Sequence, residues 1–331
     1  MNPISNLTLS ALTLLQVKGI GSATLRQLLP LGGNTSTTLD DMISTSSKLQ
    51  SKFGSNPNIL TSAQSAARQQ EELAYKAGVR IISMWDQEYP SLLSRTKDAP
   101  FILYVKGKPL NDTAYSQPVA VIGTRHPTQH GKIIGKRITA YLCEHGCSII
   151  SGLAVGCDAI AHETSIETGS PTVGVLAHGL HTIAPRQNQG LAERMLEAGG
   201  TLVSEYGFGV DPIPPFFVKR DRIQAGLSAC VIMIQSDING GSLHASRAAL
   251  EYDRWLAVPQ PTLQDRHGEE KVGANMILSS NDFKAKQDIL KCSQEALKKL
   301  LIMKSREDYP TLIGAIKGIA TRRPQDILQL L

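Results

Sequence analysis

Short apolar runs recur along the second half of the chain, and each is followed by a stretch with helical spacing. Six such runs, of four to six residues, begin after Pro118 and are bounded by glycine, proline or polar residues, as is typical of buried strands. They cover residues 119–122, 148–151, 172–177, 201–204, 230–234 and 255–258. Strands that alternate with helices predict a parallel, doubly wound sheet, because the intervening segments are long enough for right-handed crossovers.

The segment before these strands has a different pattern. Apolar residues at helical spacing over residues 7–29 are interrupted by Gly19 and Gly21, and Ser22 suits the N-cap of a second helix. The pair resembles a helix-hairpin-helix, whose turn either presents amides to a DNA phosphate or only packs two helices, and the sequence leaves both open. Residues 32–62 predict a loop or a weakly helical stretch, residues 65–77 a helix, and residues 79–82 and 101–107 two more strands.

The composition changes again after Asn281, where Lys, Glu, Gln and Leu predominate. Helical periodicity over residues 288–304 and a final segment after Pro310 predict a short helical appendage. We therefore predict a small N-terminal helical domain over residues 1–78, an α/β domain over residues 79–285, and a C-terminal helical appendage over residues 286–331.

Composition narrows the function. The 331 residues contain 34 Lys and Arg against 29 Asp and Glu, so any affinity for nucleic acid must come from a local basic patch. Five cysteines without a C-x-x-C pair predict buried thiols in a reducing cytoplasm, and neither a disulfide framework nor a metal site. No run of about 18 apolar residues and no basic leader occur, so we expect a cytoplasmic protein without membrane contact.

Two glycine-containing loops follow predicted strands at the end where parallel sheets bind ligands. The first is Gly123-Thr124-Arg125, which lacks the further glycines of a dinucleotide fingerprint and so predicts no nicotinamide cofactor; its arginine can grip a phosphate. The second runs from Gly152 to Gly156, and Asp158 and His162 follow it one helical turn apart. That pair is either a metal or acid–base pair, or a helix cap with a structural histidine.

Two more segments complete the predicted crevice. Residues 216–223 hold Phe217, Lys219, Arg220 and Arg222 within a short window, and cations beside rings are what single-stranded nucleic acid requires. The alternative is burial of a ring beside a solvated basic helix. The loop at residues 239–243, with Gly241 and Ser242, leads into a helix and either holds a phosphate on its amides or is an ordinary turn.

The order of these motifs resembles the DNA-processing protein A family, also called DprA or Smf. The matching motifs are Gly-Thr-Arg, Ser-Gly-Leu-Ala-x-Gly-x-Asp-x-x-Ala-His, Gly-Leu then Pro-x-x-Asn, Ser-Glu, Arg-x-Arg-Ile-x-Ala-Gly-Leu-Ser, Gly-Ser-Leu, Ala-Val-Pro and Gly-x-Asn, over residues 85–281. The resemblance implies an extended Rossmann-like domain after a SAM-like or helix-hairpin-helix domain. It also implies binding of single-stranded DNA, a homodimer, and transfer of the DNA to the RecA recombinase in natural transformation.

Site residues follow from the resemblance position by position. Arg125 resembles the family's phosphate-gripping arginine, Lys219, Arg220 and Arg222 its basic DNA-contact run, and Phe217 that run's aromatic residue. The loop positions that shape the pocket are Gly123, Gly152, Gly156, Ser242 and Asn275, and we add Thr124 and Gly241 from their loops. The chain departs from the family pattern at Val155, Asp221, His181 and Ala184, and its C-terminal segment lacks the strand-turn-strand ending of the family's winged helix.

Our first hypothesis is therefore a non-catalytic single-stranded DNA-binding protein without cofactor, in which the cations and rings converge on one cleft. A second hypothesis is a nucleotide sensor or hydrolase in which Glu205, Asp158 or His162 assists cleavage. A third is a specialised paralogue in phage defence or mobile-element regulation, acting on another protein.

Overall fold

The computed structural model describes residues 4–30, 37–54, 58–266 and 270–320. Five helices of this part of the chain precede the first strand: α1 (Asn6–Leu15), α2 (Ser22–Arg26), α3 (Leu39–Thr45), α4 (Ser47–Gly54) and α5 (Asn58–Lys76). α5 confirms the helix predicted over residues 65–77 and begins earlier. None of the described helices is long and apolar enough to cross a membrane.

Of the two alternatives predicted for residues 32–62, a loop or a weakly helical stretch, the described residues show the helical one, because α3, α4 and the start of α5 lie there. Thr38 forms a capping box with Asp41, which satisfies the free amides at the start of α3. Three of the segment's apolar side chains, Met42, Leu49 and Phe53, are buried. Tertiary packing of these residues thus overrides a polar composition, whereas residues 32–36 and 55–57 lie outside the described part.

The N-terminal helices share a core with the sheet. Ile20, in the turn between α1 and α2, packs in one hydrophobic cluster with the strand residues Val79 and Ile102. Gly21, and not Ser22 as predicted, is the N-cap of α2, and the Ser22 hydroxyl instead accepts the backbone N–H of Phe101 at 3.2 Å. The helix-hairpin-helix turn is thus held against the α/β core.

Nine described strands form one sheet. They are β1 (Val79–Ser83), β2 (Ile102–Gly107), β3 (Pro118–Ile122), β4 (Ser148–Ser151), β5 (Thr172–Leu176), β6 (Thr201–Ser204), β7 (Cys230–Met233), β8 (Trp255–Pro259) and β9 (Leu300–Met303). Their order is β1-β2-β6-β5-β4-β3-β7-β8-β9, with antiparallel pairing only at β1–β2 and β2–β6. All eight predicted strands are present.

Helices cover both faces of the sheet. Alternate residues of a strand point to opposite faces, so neighbouring residues of one strand pack against different helices. Val119 and Val121 of β3 pack in the cluster of α7 (Gln129–Glu144), α8 (Cys157–Glu167) and α15 (Tyr309–Ala320). Ala120 and Ile122 pack in the cluster of α10 (Pro214–Gly226) and α11 (Ser242–Glu251). The remaining helices are α6 (Ser91–Ser94), α9 (Gln189–Glu197), α12 (Leu263–Arg266), α13 (Gly273–Ser279) and α14 (Phe283–Leu290). The α/β, Rossmann-like, mostly parallel fold is confirmed.

The helix predicted over residues 288–304 is wrong. α14 ends at Leu290, Lys291 takes a left-handed conformation, and after a 3₁₀ turn the chain forms β9. β9 pairs in parallel with β8, and α15 then packs against β3 and β8. The four consecutive apolar residues of β9 pair with the edge that β8 would otherwise leave unpaired. The C-terminal segment therefore completes the sheet and is not a separate helical appendage.

Candidate nucleic-acid interface

A cleft opens where the chain order reverses in the sheet. β3 is flanked by β4 on one side and β7 on the other, so the loops after these three strands diverge and leave a cavity of about 530 Å³. We call this cavity the cleft. Its lining residues are Ile122, Gly123, Thr124, Arg125, Ala154, Asp158, Pro214, Phe217, Val218, Arg220, Asp221, Gln224, Ser236, Asp237, Gly240, Gly241, Ser242 and Ala245.

Two glycines allow the loops around the cleft to pack closely. Gly156 has a φ of +83°, and a Cβ there would lie 2.5 Å from the carbonyl oxygens of Thr124 and Arg125. A Cβ at Gly152 would overlap the guanidinium of Arg220. The loop after β4 therefore needs glycine at position 156 to pack against the Arg125 loop and at position 152 to pack against Arg220.

Arg125 and Phe217 meet at the cleft, although they are far apart in sequence. The Arg125 guanidinium carbon lies 5.8 Å from the centre of the Phe217 ring. Arg125 is exposed and forms no ion pair with the described residues, whereas Phe217 is half-buried. This pair offers a free cation and a ring face at one opening, as the sequence predicts for these two residues.

The sequence predicts a DNA contact for Arg220, but the structure buries this side chain. Its Nη1 donates to the carbonyl oxygens of Gly152, at 2.7 Å, and Val175, and its Nε donates to Asp221 at 3.1 Å. Only 4% of the residue is exposed. Arg220 therefore ties α10 to the loop after β4 and to β5 itself, and is a structural residue of the cleft wall.

Asp158 completes this buried network. Its Oδ2 accepts the backbone N–H groups of Gly152 and Ala154 at 3.1 and 3.3 Å, so it caps the loop that shapes the cleft. Burial raises the pKa of Asp158 to about 6, although the charge of Arg220 opposes that shift. The helix-cap interpretation of this aspartate is wrong, because Gly156 is the N-cap of α8 without a side-chain cap and Asp158 holds the loop before the helix instead.

Lys219 and Arg222 lie on the other side of α10 from Phe217. Residues two apart on a helix are separated by about 200°. Lys219 and Arg222 share one carboxylate, Glu205, at 3.4 and 2.6 Å. Lys219 also lies over the ring of Tyr206, on which Phe216 stacks at 4.4 Å. The predicted convergence of the whole basic run on one cleft is therefore wrong for these two cations.

The last predicted loop residues divide between structural and cleft-lining positions. Asn275 is buried; its Nδ2 donates to the carbonyls of Ile234 and Pro259, and its Oδ1 accepts the N–H of Ser236 at 2.9 Å. Asn275 thus braces the loop after β7 and cannot reach a ligand. Gly241 and Ser242 line the cleft at the start of α11, where the positive end of the helix dipole favours an anion.

The groups considered for nucleotide cleavage do not meet. His162 is fully buried and bonds Thr172 through Nδ1 at 2.7 Å, and Glu205 is held by Arg222 and Lys219 outside the cleft lining. Of the three, only Asp158 lines the cleft. The sequence missed Asp237 and Gln224 as cleft residues, although Asp237 follows β7 at the ligand-binding end of the sheet.

The burial of His162 makes the folded protein less stable at low pH. Burial lowers the pKa of His162 to about 3, from an ordinary 6.5. Between these values the unfolded chain binds a proton on this histidine and the folded chain does not, so the free energy of unfolding falls as the pH decreases. His162→Gln should reduce the stability lost between pH 7 and pH 5, measured by urea unfolding, by about 2 kcal/mol. An unchanged loss in the variant would contradict this assignment.

The fold and the cleft define a Rossmann-like α/β protein with a cavity at its switch point. Residues 80–292 match the family model of DNA recombination-mediator protein A, and the chain belongs to that family. Protein Smf of Synechocystis is 32% identical over 258 residues, which are 73% of this chain and 65% of that relative. The match thus spans less than two thirds of the relative's length.

Two solved structures resemble this chain. DNA processing protein A of Streptococcus pneumoniae has a TM-score of 0.66 at 22% identity, over 94% of this chain and 98% of that one. DNA processing protein A of Helicobacter pylori has a TM-score of 0.53 at 28% identity, over 64% of this chain and 94% of that one. The Helicobacter pylori structure is described for its single-stranded DNA binding mode.

Proposed function

We propose that this chain binds single-stranded DNA in the cleft and acts without catalysing a reaction. The observation that supports this best is the pairing of Arg125 and Phe217 at the cleft opening, far apart in sequence but 5.8 Å apart in space. A cation serves a phosphate, and a ring face serves an unstacked base, with about 1 to 3 kcal/mol per stacked base.

The surroundings of this pair suit a nucleotide chain. α8 and α11 both begin at the cleft, so their amino-terminal amides add positive potential for a phosphate. We propose that the loop residues around the cleft shape the site; these are Gly123, Thr124, Gly152, Gly156, Gly241 and Ser242. Lys219, which is 54% exposed over Tyr206, is a second contact for a strand that leaves the cleft.

The family supports a wider role. We propose that the bound strand is passed to the RecA recombinase, and that the protein acts as a homodimer in recombination during natural transformation. These proposals rest on membership of the DNA recombination-mediator protein A family and on related proteins named for DNA processing.

Salt dependence tests the site. Each phosphate contact to a single strand contributes about 0.7 to the slope of log affinity against log salt concentration. Arg125→Ala should therefore lower the magnitude of that slope by about 0.7 for a labelled oligo-dT in fluorescence anisotropy. The control is Arg68→Ala, which removes an arginine that is 65% exposed on α5, away from the cleft, and should leave the slope unchanged.

Equal slopes for Arg125→Ala and the wild type would refute the site. A further fall when Lys219→Ala is added would place Lys219 on the path of the strand, and no further fall would remove it. Equal thermal stabilisation by free dTMP and by oligo-dT would favour the nucleotide-sensor hypothesis, because a ligand stabilises the folded state that binds it.

A further inference from the structure

The charges that line the cleft are mostly acidic. The lining contains three aspartates, Asp158, Asp221 and Asp237, and two arginines. One of the arginines, Arg220, donates its hydrogen bonds to groups of the protein itself. Both phosphate and a base must enter this cleft if DNA binds there. A carboxylate repels a phosphate, so the one that lies beside the bound base meets the part of the nucleotide that carries hydrogen-bond donors.

Asp221 has one oxygen available to a ligand. Its Oδ1 accepts from Arg220 Nε at 3.1 Å and Gln224 Nε2 at 2.9 Å, whereas Oδ2 accepts from no described residue. The side chain is 14% exposed, and that exposure is toward the cleft that it lines. An acceptor is thus held rigidly on the same wall as Phe217, one helical turn further along α10.

We propose that the cleft selects a base with an exocyclic amino group, and that Asp221 Oδ2 is the acceptor that recognises it. The proposal rests on the proposed binding of single-stranded DNA. The N4 amino group of cytosine donates to a carboxylate, and the N6 amino group of adenine can do the same. Uracil and thymine present a carbonyl oxygen at the equivalent position, which leaves two acceptors facing each other.

Oligo-dC and oligo-dU of equal length separate this contact from stacking and size, because the two bases differ only at the C4 substituent and its adjacent ring nitrogen. We expect the wild-type protein to bind oligo-dC about fivefold more tightly at pH 8, as for one solvent-accessible hydrogen bond to a charged group. Asp221→Asn should reverse the preference in favour of oligo-dU, because Arg220 Nε and Gln224 Nε2 hold the amide oxygen and turn its N–H group toward the base, where it suits the uracil carbonyl.

Asp237→Asn is the matched control. Asp237 lines the same cleft and carries the same charge, so its removal should strengthen binding of both oligonucleotides equally and keep the ratio. A loss of the ratio in Asp237→Asn with no change in Asp221→Asn would overturn the assignment to Asp221.

A chemical probe covers the case in which Asp221→Asn fails to fold. An oligonucleotide of N4,N4-dimethylcytosine keeps the ring and charge but has no amino N–H, so it should bind the wild-type protein no better than oligo-dU. Equal wild-type affinity for oligo-dC and oligo-dU would end the selectivity proposal while leaving DNA binding in place. No binding of either oligonucleotide would instead refute the proposed function.

Discussion

Replacing Arg220 with methionine is expected to lower the free energy of unfolding by about 3 to 5 kcal/mol. Removal of the guanidinium leaves the buried Asp158 and the half-buried Asp221 without their common cation, and the carbonyls of Gly152 and Val175 lose a donor. A buried charge that loses its partner cannot recover its hydration, so the full cost appears in stability. Urea unfolding at pH 8 measures the difference.

The neighbouring residue provides the control. Lys219→Met removes the same kind of charge one position earlier, but Lys219 is 54% exposed and its ion pair with Glu205 is 3.4 Å long. Its loss should change stability by no more than about 0.5 kcal/mol. If Arg220→Met cost no more than Lys219→Met, the buried network would not hold the cleft wall.

Gly156→Ala should abolish most DNA binding, with a fall in affinity of about 30-fold or more, equivalent to about 2 kcal/mol. The new methyl group would lie 2.5 Å from the carbonyl oxygens of Thr124 and Arg125, so the loop after β3 must move and carry Arg125 away from Phe217. Anisotropy with oligo-dT measures the loss.

Gly169→Ala is the control that introduces backbone strain without displacing the loop after β3. Gly169 has a φ of +68°, in the same region as Gly156, but a Cβ there has no atom of the described structure within 4 Å. Both variants should lose roughly 1 kcal/mol or more of stability, since alanine is disfavoured at positive φ, but only Gly156→Ala should lose affinity. Equal affinities for the two variants would show that the Arg125 loop does not form the DNA site.

The sheet could be predicted from the sequence because its strands are short apolar runs between glycine, proline and polar residues. Runs of this kind with such boundaries favour a buried strand, and the helices between them fix the parallel direction. The strand at Leu300–Met303 could not be predicted, because its four apolar residues continue a helical pattern. Only the open edge of β8 made extended pairing the better arrangement for them.

One part of the candidate site could likewise be predicted from the sequence, and another part could not. Parallel strands bring their carboxyl ends to one edge, so the sequence alone placed Arg125 at the crevice. The orientation of the basic side chains could not be predicted. The directions of Lys219, Arg220 and Arg222 around the axis of α10 differ by 100° for each residue between them, and their partners come from distant segments.

By itself, the sequence determined the fold class, the first eight strands, and the loops that surround the cleft, because these depend on local patterns and on the geometry of parallel sheets. Only the tertiary structure decided which cations face a ligand. Burial against Gly152 and Val175 turns Arg220 inward, Glu205 holds Lys219 and Arg222 on the far side of α10, and Arg125 keeps a free guanidinium over Phe217. Those partners lie far away in sequence, and a charge is available to DNA only where no buried acceptor claims it.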